Sequence, residues 1–282
     1  MKQGGRDEYI VVGQAERDKL PQNFFADSIS AICKCTTCFI IGDSPAGSGT
    51  LVSIEGRNGI LTAHHVAKEA MTAPEGSLSI CIKKDPHRPE ISQRQLLPRQ
   101  IGKESDYGNN SDLSFIEIND TKLIASIAED RSFFNLNDGE GDIISSIQVF
   151  RKGGFWRTAG APKEFCRRVP DRNGVHLFKV GFLCGDATYC HNGNDPCSNL
   201  DELTLKVPIN GNHPKDYDGM SGGGIWLIYL NAQTESPDSL FCPKAILVGV
   251  IREQSVKPES DTRKIYAYGP KAIYKEMRLH FP

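Results

Sequence analysis

Long apolar runs are missing from this sequence, and with them any segment that would cross a membrane as a helix. The longest uncharged stretch, Gly219 to Gln233, is broken by glycines and a serine and falls short of the ~20 apolar residues a spanning helix needs. A surplus of one charge is missing too. With 33 basic against 35 acidic residues, no broad field recruits nucleic acid or an anionic membrane, and neither is expected as a partner. The segment from Met1 to Lys19 lacks the continuous apolar core of a secretory leader. Nine scattered cysteines are an odd number and do not resemble the framework of a small secreted scaffold. They read as thiols of a reducing compartment, so a cytoplasmic location is expected. Low-complexity segments are absent, as is any alternation of strands with crossover helices.

What remains is a turn-rich β pattern in a chain of 282 residues, with 27 glycines and 16 prolines. After an N-terminal arm, residues 1–29, with a strand-like piece at Tyr9–Val12 and a helix near Asn23–Ile29, β patterning begins at Ala31. Apolar segments at 31–42, 47–54, 59–66, 78–84 and 112–118 are separated by Gly, Asn, Asp and Pro clusters. A second series follows a GEGD turn at 139–142, with strands expected at 143–150, 155–160, 175–184, 202–209, 224–230, 245–251 and 264–269. Loops are expected at 108–112 and 192–196. Two successive sets of short strands predict an all-β fold of two packed antiparallel six-stranded barrels, residues 30–137 and 138–282, with a C-terminal helix over 270–279 and the site in the cleft between.

Three distant pieces suggest chemistry. A neutral imidazole can take a proton from a hydroxyl near neutral pH, provided a carboxylate fixes its tautomer. The strand Gly59–Leu61 runs into Thr62-Ala63-His64-His65. Asp112 stands at the start of the apolar run Leu113–Ile116, with Asp106 as the reserve acid. Ser221 lies in Asp218-Gly219-Met220-Ser221-Gly222-Gly223-Gly224, where glycine allows a sharp turn that aims N–H groups at one point. The N–H groups of Gly219 and Ser221 are the candidate donors to a developing oxyanion.

These pieces resemble the chymotrypsin-like serine peptidase family, which carries T-A-x-H, then D-L at a strand start, then G-x-S-G-G, in the order His, Asp, Ser. The resemblance covers roughly residues 31–280 and includes Gly47-Ser48-Gly49-Thr50-Leu51-Val52 and Leu247-Val248-Gly249-Val250-Ile251. It implies a serine endopeptidase acting on proteins or peptides, with His65 as general base, Asp112 orienting it and Ser221 as nucleophile, and with no cofactor. Secreted members bridge two cysteines at places that are Val66 and Tyr217 here. Met220 replaces the aspartate that captures a newly cut N-terminus, which leaves regulation by a protein partner or constitutive activity open.

The resemblance also implies a specificity pocket. Lys215 falls at its base, Lys264 beside it, and Asp216, Arg252 and Gln254 on its walls, so an acidic residue on the acyl side of the scissile bond is expected. The alternative is that both lysines point to water and Asp216 or Asp218 lines the pocket. No catalytic metal is expected. Cys33, Cys35 and Cys38 are read as small buried residues of a strand, too few for zinc, while Cys184, Cys190, His191 and Cys197 leave a structural zinc open. Two rival functions remain: a protease-shaped pseudoenzyme holding a peptide without cutting it, and an ester or lipid hydrolase, whose usual triad order and α/β sheet the sequence opposes.

Overall fold

The computed structural model describes residues 9–10, 25–81, 91–102, 111–137, 154–170, 176–195, 200–231 and 242–281. The expected strand at 143–150, the turn at 139–142, Asp106 and Cys197 lie outside them. Numbered along the chain, the first strands are β1 (Tyr9–Ile10), β2 (Thr36–Ile41), β3 (Ser44–Ile54), β4 (Arg57–Ala63), β5 (Leu78–Ile80), β6 (Leu96–Gln100), β7 (Leu113–Ile118) and β8 (Phe134–Asn135). They are followed by β9 (Phe155–Gly160), β10 (Arg167–Pro170), β11 (His176–Lys179), β12 (Leu183–Asn194), β13 (Asp201–Pro208), β14 (Gly224–Asn231), β15 (Cys242–Gln254) and β16 (Thr262–Tyr268).

The fold is all-β, built from two barrels. In the first sheet the order is β5-β2-β3-β4-β7-β6, and among the described residues β5 and β6 do not pair, which makes it a half-barrel. Its neighbours are antiparallel except for β8, which joins β3 in parallel, a departure from the wholly antiparallel expectation. The second sheet closes: β9-β14-β15-β16-β13-β12 returns to β9, and β1 adds to β14.

Alternation within β7 shows how the halves are joined. Leu113 and Phe115 pack into the large core that holds most apolar residues of the second barrel, whereas Ile116 and Ile118 pack into the first barrel's own core. Such a strand is apolar on both faces because both faces are buried. Phe134 meets Trp226 edge-on at 5.2 Å in the same shared core.

Several local expectations are corrected. Residues Ala26–Cys35 form a helix, with Ser28, Ile32 and Cys35 buried along one side, so Cys33 and Cys35 are helical and only Cys38 lies on a strand. The β-branched pair Thr36-Thr37 starts β2, and the Thr36 hydroxyl donates to the Ile32 carbonyl at 2.9 Å. The histidines do not end a strand but open a helix, His64–Met71. Strand β6 was hidden by Pro98, which an edge strand tolerates. Helix Thr121–Ala128 was hidden in a β-like composition, although Asp120 caps it by accepting from the N–H groups of Lys122 and Leu123. The segment 175–184 is two strands, parted at 180–182, and Asn192–Asn194 belong to β12 instead of a loop. The C-terminal segment is a π-helical turn, Lys271–Glu276, followed by a 3-10 turn, Met277–His280. No helix among the described residues is long and apolar enough to cross a membrane.

Candidate active site

Strands β4 and β7 are antiparallel neighbours with Ala63 opposite Leu113. That register places the helix start after β4 beside the residue before β7. The first N–H groups of a helix lack partners within it, and Asp112 supplies them. Its carbonyl accepts from the His64 N–H at 3.1 Å, and its Oδ1 accepts from the His65 N–H at 2.8 Å. The same carboxylate accepts from His65 Nδ1, at 2.8 Å to Oδ2 and 3.1 Å to Oδ1. This hydrogen bond, ahead of opposing desolvation, holds the His65 pKa above its ordinary value. With the proton on Nδ1, the Nε2 lone pair is available. His64 instead meets Ser114 Oγ through Nδ1 at 2.8 Å, and burial holds its pKa down.

The serine turn comes from the second barrel. Gly219 has φ +87°, and a Cβ there would sit 2.8 Å from the Ala161 carbonyl oxygen. Gly222 has φ +86°, and a Cβ there would overlap Thr62 Oγ1 and the Ser48 carbonyl of the first barrel. Only glycine fits either place. Among the described residues the N–H groups of Gly219 and Ser221 donate to nothing within the protein, which leaves both available to a developing oxyanion. Met220 is fully buried, its sulfur packed towards Gly160.

Ser48 on β3, passed over as part of an apolar strand, organises this turn. Its N–H donates to the Ser221 carbonyl at 2.8 Å and its hydroxyl to the Gly219 carbonyl at 2.6 Å, while accepting from the Ala161 N–H at 2.8 Å. Its hydroxyl is fully buried and satisfied by these partners, none of them near it in sequence.

His65 and Ser221 line one cavity of about 190 Å³ together with Tyr217, Asp218, Ile251, Arg252, Glu253, Gln254 and Ile265. The two are not hydrogen-bonded to each other. Of the residues expected around a specificity pocket, Arg252 and Gln254 line this cavity, whereas Lys215, Asp216 and Lys264 are not among its lining residues. The Lys264 ammonium pairs with Glu259 at 2.5 Å, and Glu259 also holds Lys206, which lies opposite Lys264 across β13 and β16. The acids Asp218 and Glu253 line the cavity in place of the two cations. Arg252 is spent on Glu253 at 2.7 Å, Glu202 at 3.0 Å and Asp195 at 3.4 Å.

Gln254 spans the cavity wall. Its Oε1 accepts from the Tyr217 N–H at 3.0 Å and from Arg263 at 3.2 Å, and its Nε2 donates to Asp216 at 2.5 Å. With that hydrogen bond as the main cause, the Asp216 carboxyl titrates below its ordinary value.

Among the described residues no three His, Cys, Asp or Glu side chains are grouped to hold a metal ion. Fold and site define a two-barrel β protein that carries an acid–base pair on one barrel and a serine turn on the other, around a common cavity. No protein-family model and no curated protein matches the chain. Among solved structures it is similar to an HtrA-type protease held with a tripeptide, at 16% identity and TM-score 0.46, covering 90% of this chain and 62% of that one. It is also similar to the serine protease domain of the Sesbania mosaic virus polyprotein, at 12% identity and TM-score 0.41, covering 86% and 92%. A scabies mite inactivated protease paralogue is similar at 12% identity and TM-score 0.42, covering 90% and 98%.

Proposed function

We propose that the protein is a serine endopeptidase. The observation that carries this reading is the Asp112-held imidazole of His65 on the same cavity as Ser221 and its two unspent N–H groups. Ser221 Oγ attacks the carbonyl carbon of the scissile bond while His65 Nε2 takes its proton. The N–H groups of Gly219 and Ser221 hold the oxyanion, and collapse expels the amine with the proton returned from His65. Water then releases the acyl group by the same steps. Neither metal nor cofactor takes part in this scheme. Labelling by a fluorophosphonate, lost in Ser221→Ala, tests it directly, and absence of labelling in the wild type sinks it.

One observation favours a second reading, a dormant peptidase or pseudoenzyme that holds peptides until a protein partner acts. Gln254 ties the two cavity walls together while Ser221 and His65 are not yet bonded. Labelling that appears only when candidate partners are added supports it; labelling of the isolated chain excludes it.

Specificity follows from the same crossbar. The Lys264 ammonium expected to select an acidic side chain is paired with Glu259 instead, and the cavity, about 190 Å³, has Ile251, Ile265 and Gln254 among its lining residues. We assign it a short uncharged residue on the acyl side. In a peptide library the wild type then cleaves after small side chains, and Gln254→Gly gains cleavage after large apolar ones by about ten-fold, the scale of one or two methylenes in an apolar pocket. Equal cleavage after Phe and Ala by the wild type overturns the assignment.

A further inference from the structure

We propose that Tyr268 is a positioning residue for the catalytic pair, holding Asp112 from the opposite barrel through its phenol oxygen. The proposal rests on the peptidase reading above. Asp112 stands before β7 in the first barrel, and Tyr268 ends β16 in the second. The Asp112 N–H donates to Tyr268 Oη at 2.8 Å, and the phenol hydrogen is directed at Asp195 Oδ2, 3.4 Å away. Tyr268 is 1% exposed and Asp195 4%. Burial raises the phenol pKa, so the hydroxyl stays neutral and both accepts and donates. The Arg252 guanidinium lies 5.7 Å from the ring centroid and pairs with Asp195, which fixes the ring from its face as well as from its tip.

Asp112 is thereby held from both barrels. Its carboxylate is held by the His65 N–H and Nδ1 and its carbonyl by the His64 N–H, all within the first barrel, and its own N–H is held by Tyr268 of the second. Among the described residues the Asp112 N–H has no acceptor except that phenol oxygen. Removing it takes away one of the two hydrogen bonds of the Ser111–Asp112 peptide, the other being Gln100 Nε2 to the Ser111 carbonyl at 2.6 Å, and the carboxylate that fixes the imidazole shifts with the loosened peptide. Small losses of alignment at reacting groups cost rate steeply. The charged and titratable groups around His65 are Asp112 before β7, Glu69 on its own helix, Glu253 on β15 and the adjacent His64, and all of them remain when the phenol oxygen is deleted.

Tyr268→Phe deletes that one atom. Tyr274→Phe is the control, because its hydroxyl is equally buried but donates to the Leu247 carbonyl at 2.7 Å, away from the site. In full-length Tyr268→Phe, fluorophosphonate labelling of Ser221 slows about ten-fold. The His65 titration followed by NMR moves to lower pH, and the Asp112 amide exchanges faster than its neighbours. Tyr274→Phe lowers the melting temperature and leaves all three readouts in place. An unmoved His65 titration in Tyr268→Phe, or the same movement in Tyr274→Phe, overturns the proposal. If the wild type is not labelled, the peptidase reading falls, while the His65 titration and Asp112 exchange still decide the role of Tyr268.

Discussion

The first barrel assembles its share of the site within one sheet, whereas the second contributes a single turn that has to be aligned across the junction. Asp112 and His65 meet because β4 and β7 are hydrogen-bonded neighbours with Ala63 opposite Leu113. Ser221 has bonds of its own barrel around it, from the Gly222 N–H to the Ile251 carbonyl and from the Gly223 N–H to the Met220 carbonyl, but these do not bring it to His65. The Ser221 carbonyl and that of Gly219 are held by Ser48 of the first barrel, and the turn's glycines leave room for that contact. Disturbing the junction leaves the pair its register and costs it only the Tyr268 contact to the Asp112 N–H; the serine turn loses the hydrogen bonds that tie it to the first barrel.

The largest test of this contrast removes one chemical group from each side. Ser221→Ala and His65→Ala each lower peptide hydrolysis by about ten-thousand-fold or more, because the triad works as a unit. Folding, followed by circular dichroism, survives in both. Retained hydrolysis in either variant refutes the division of labour.

A smaller effect separates alignment from chemistry. Ser48→Ala leaves the Ala161 N–H without its acceptor and releases the Gly219 carbonyl, so the turn that presents the oxyanion donors loosens. Hydrolysis slows by about a hundred-fold, the scale of losing one such donor, while the NMR titration of His65 stays where it is in the wild type. A shifted His65 titration in this variant would mean that the two halves of the site are not separately held.

The pH profile gives a finer reading. Acylation needs neutral His65, and its pKa is raised above 6.5 chiefly by the Asp112 hydrogen bond. The rate of labelling is therefore low in acid and climbs through a pH above 6.5 as the proton leaves. His64, whose pKa is lowered by burial, is already neutral there. His64→Ala keeps both the activity and the limb; a limb that disappears with His64 reverses the assignment of the two histidines.

The smallest expected effect concerns the thiols. Among the described residues no disulfide forms. Millimolar reductant leaves the melting temperature unchanged. A large fall in scanning calorimetry would show that a disulfide contributes to stability and would contradict the expectation of reduced thiols.

The two regions also differed in how much the sequence disclosed. The grouping of His65, Asp112 and Ser221 is legible in the sequence because each proposed role restricts residue type: an imidazole after an apolar strand, a carboxylate before another, a hydroxyl in a glycine turn. The cavity walls are not. Lys264 was assigned to the cavity by counting along the chain, yet strand pairing sets it beside Lys206 with Glu259 between them, and loop length carries no periodic signal. A helix is legible near Asn23–Ile29, but residues 31–35, the second half of the helix Ala26–Cys35, read as β because their apolar residues merge with those of β2. Ser48 looked like one more residue of a strand, because a buried hydroxyl announces itself only through partners that are far away in sequence.

One hydrogen bond places the site in the time course of synthesis. The acceptor of the Asp112 N–H is Tyr268, 156 residues further on, and a ribosome adds that length in on the order of ten seconds. Through that interval the acid–base pair has its register from β4 and β7 but not its second anchor, and Ser221 is made before the anchor is. The last strand of the second barrel thus supplies the acceptor for the Asp112 N–H of the first, so a nascent chain carries His65, Asp112 and Ser221 before it carries the whole arrangement around them.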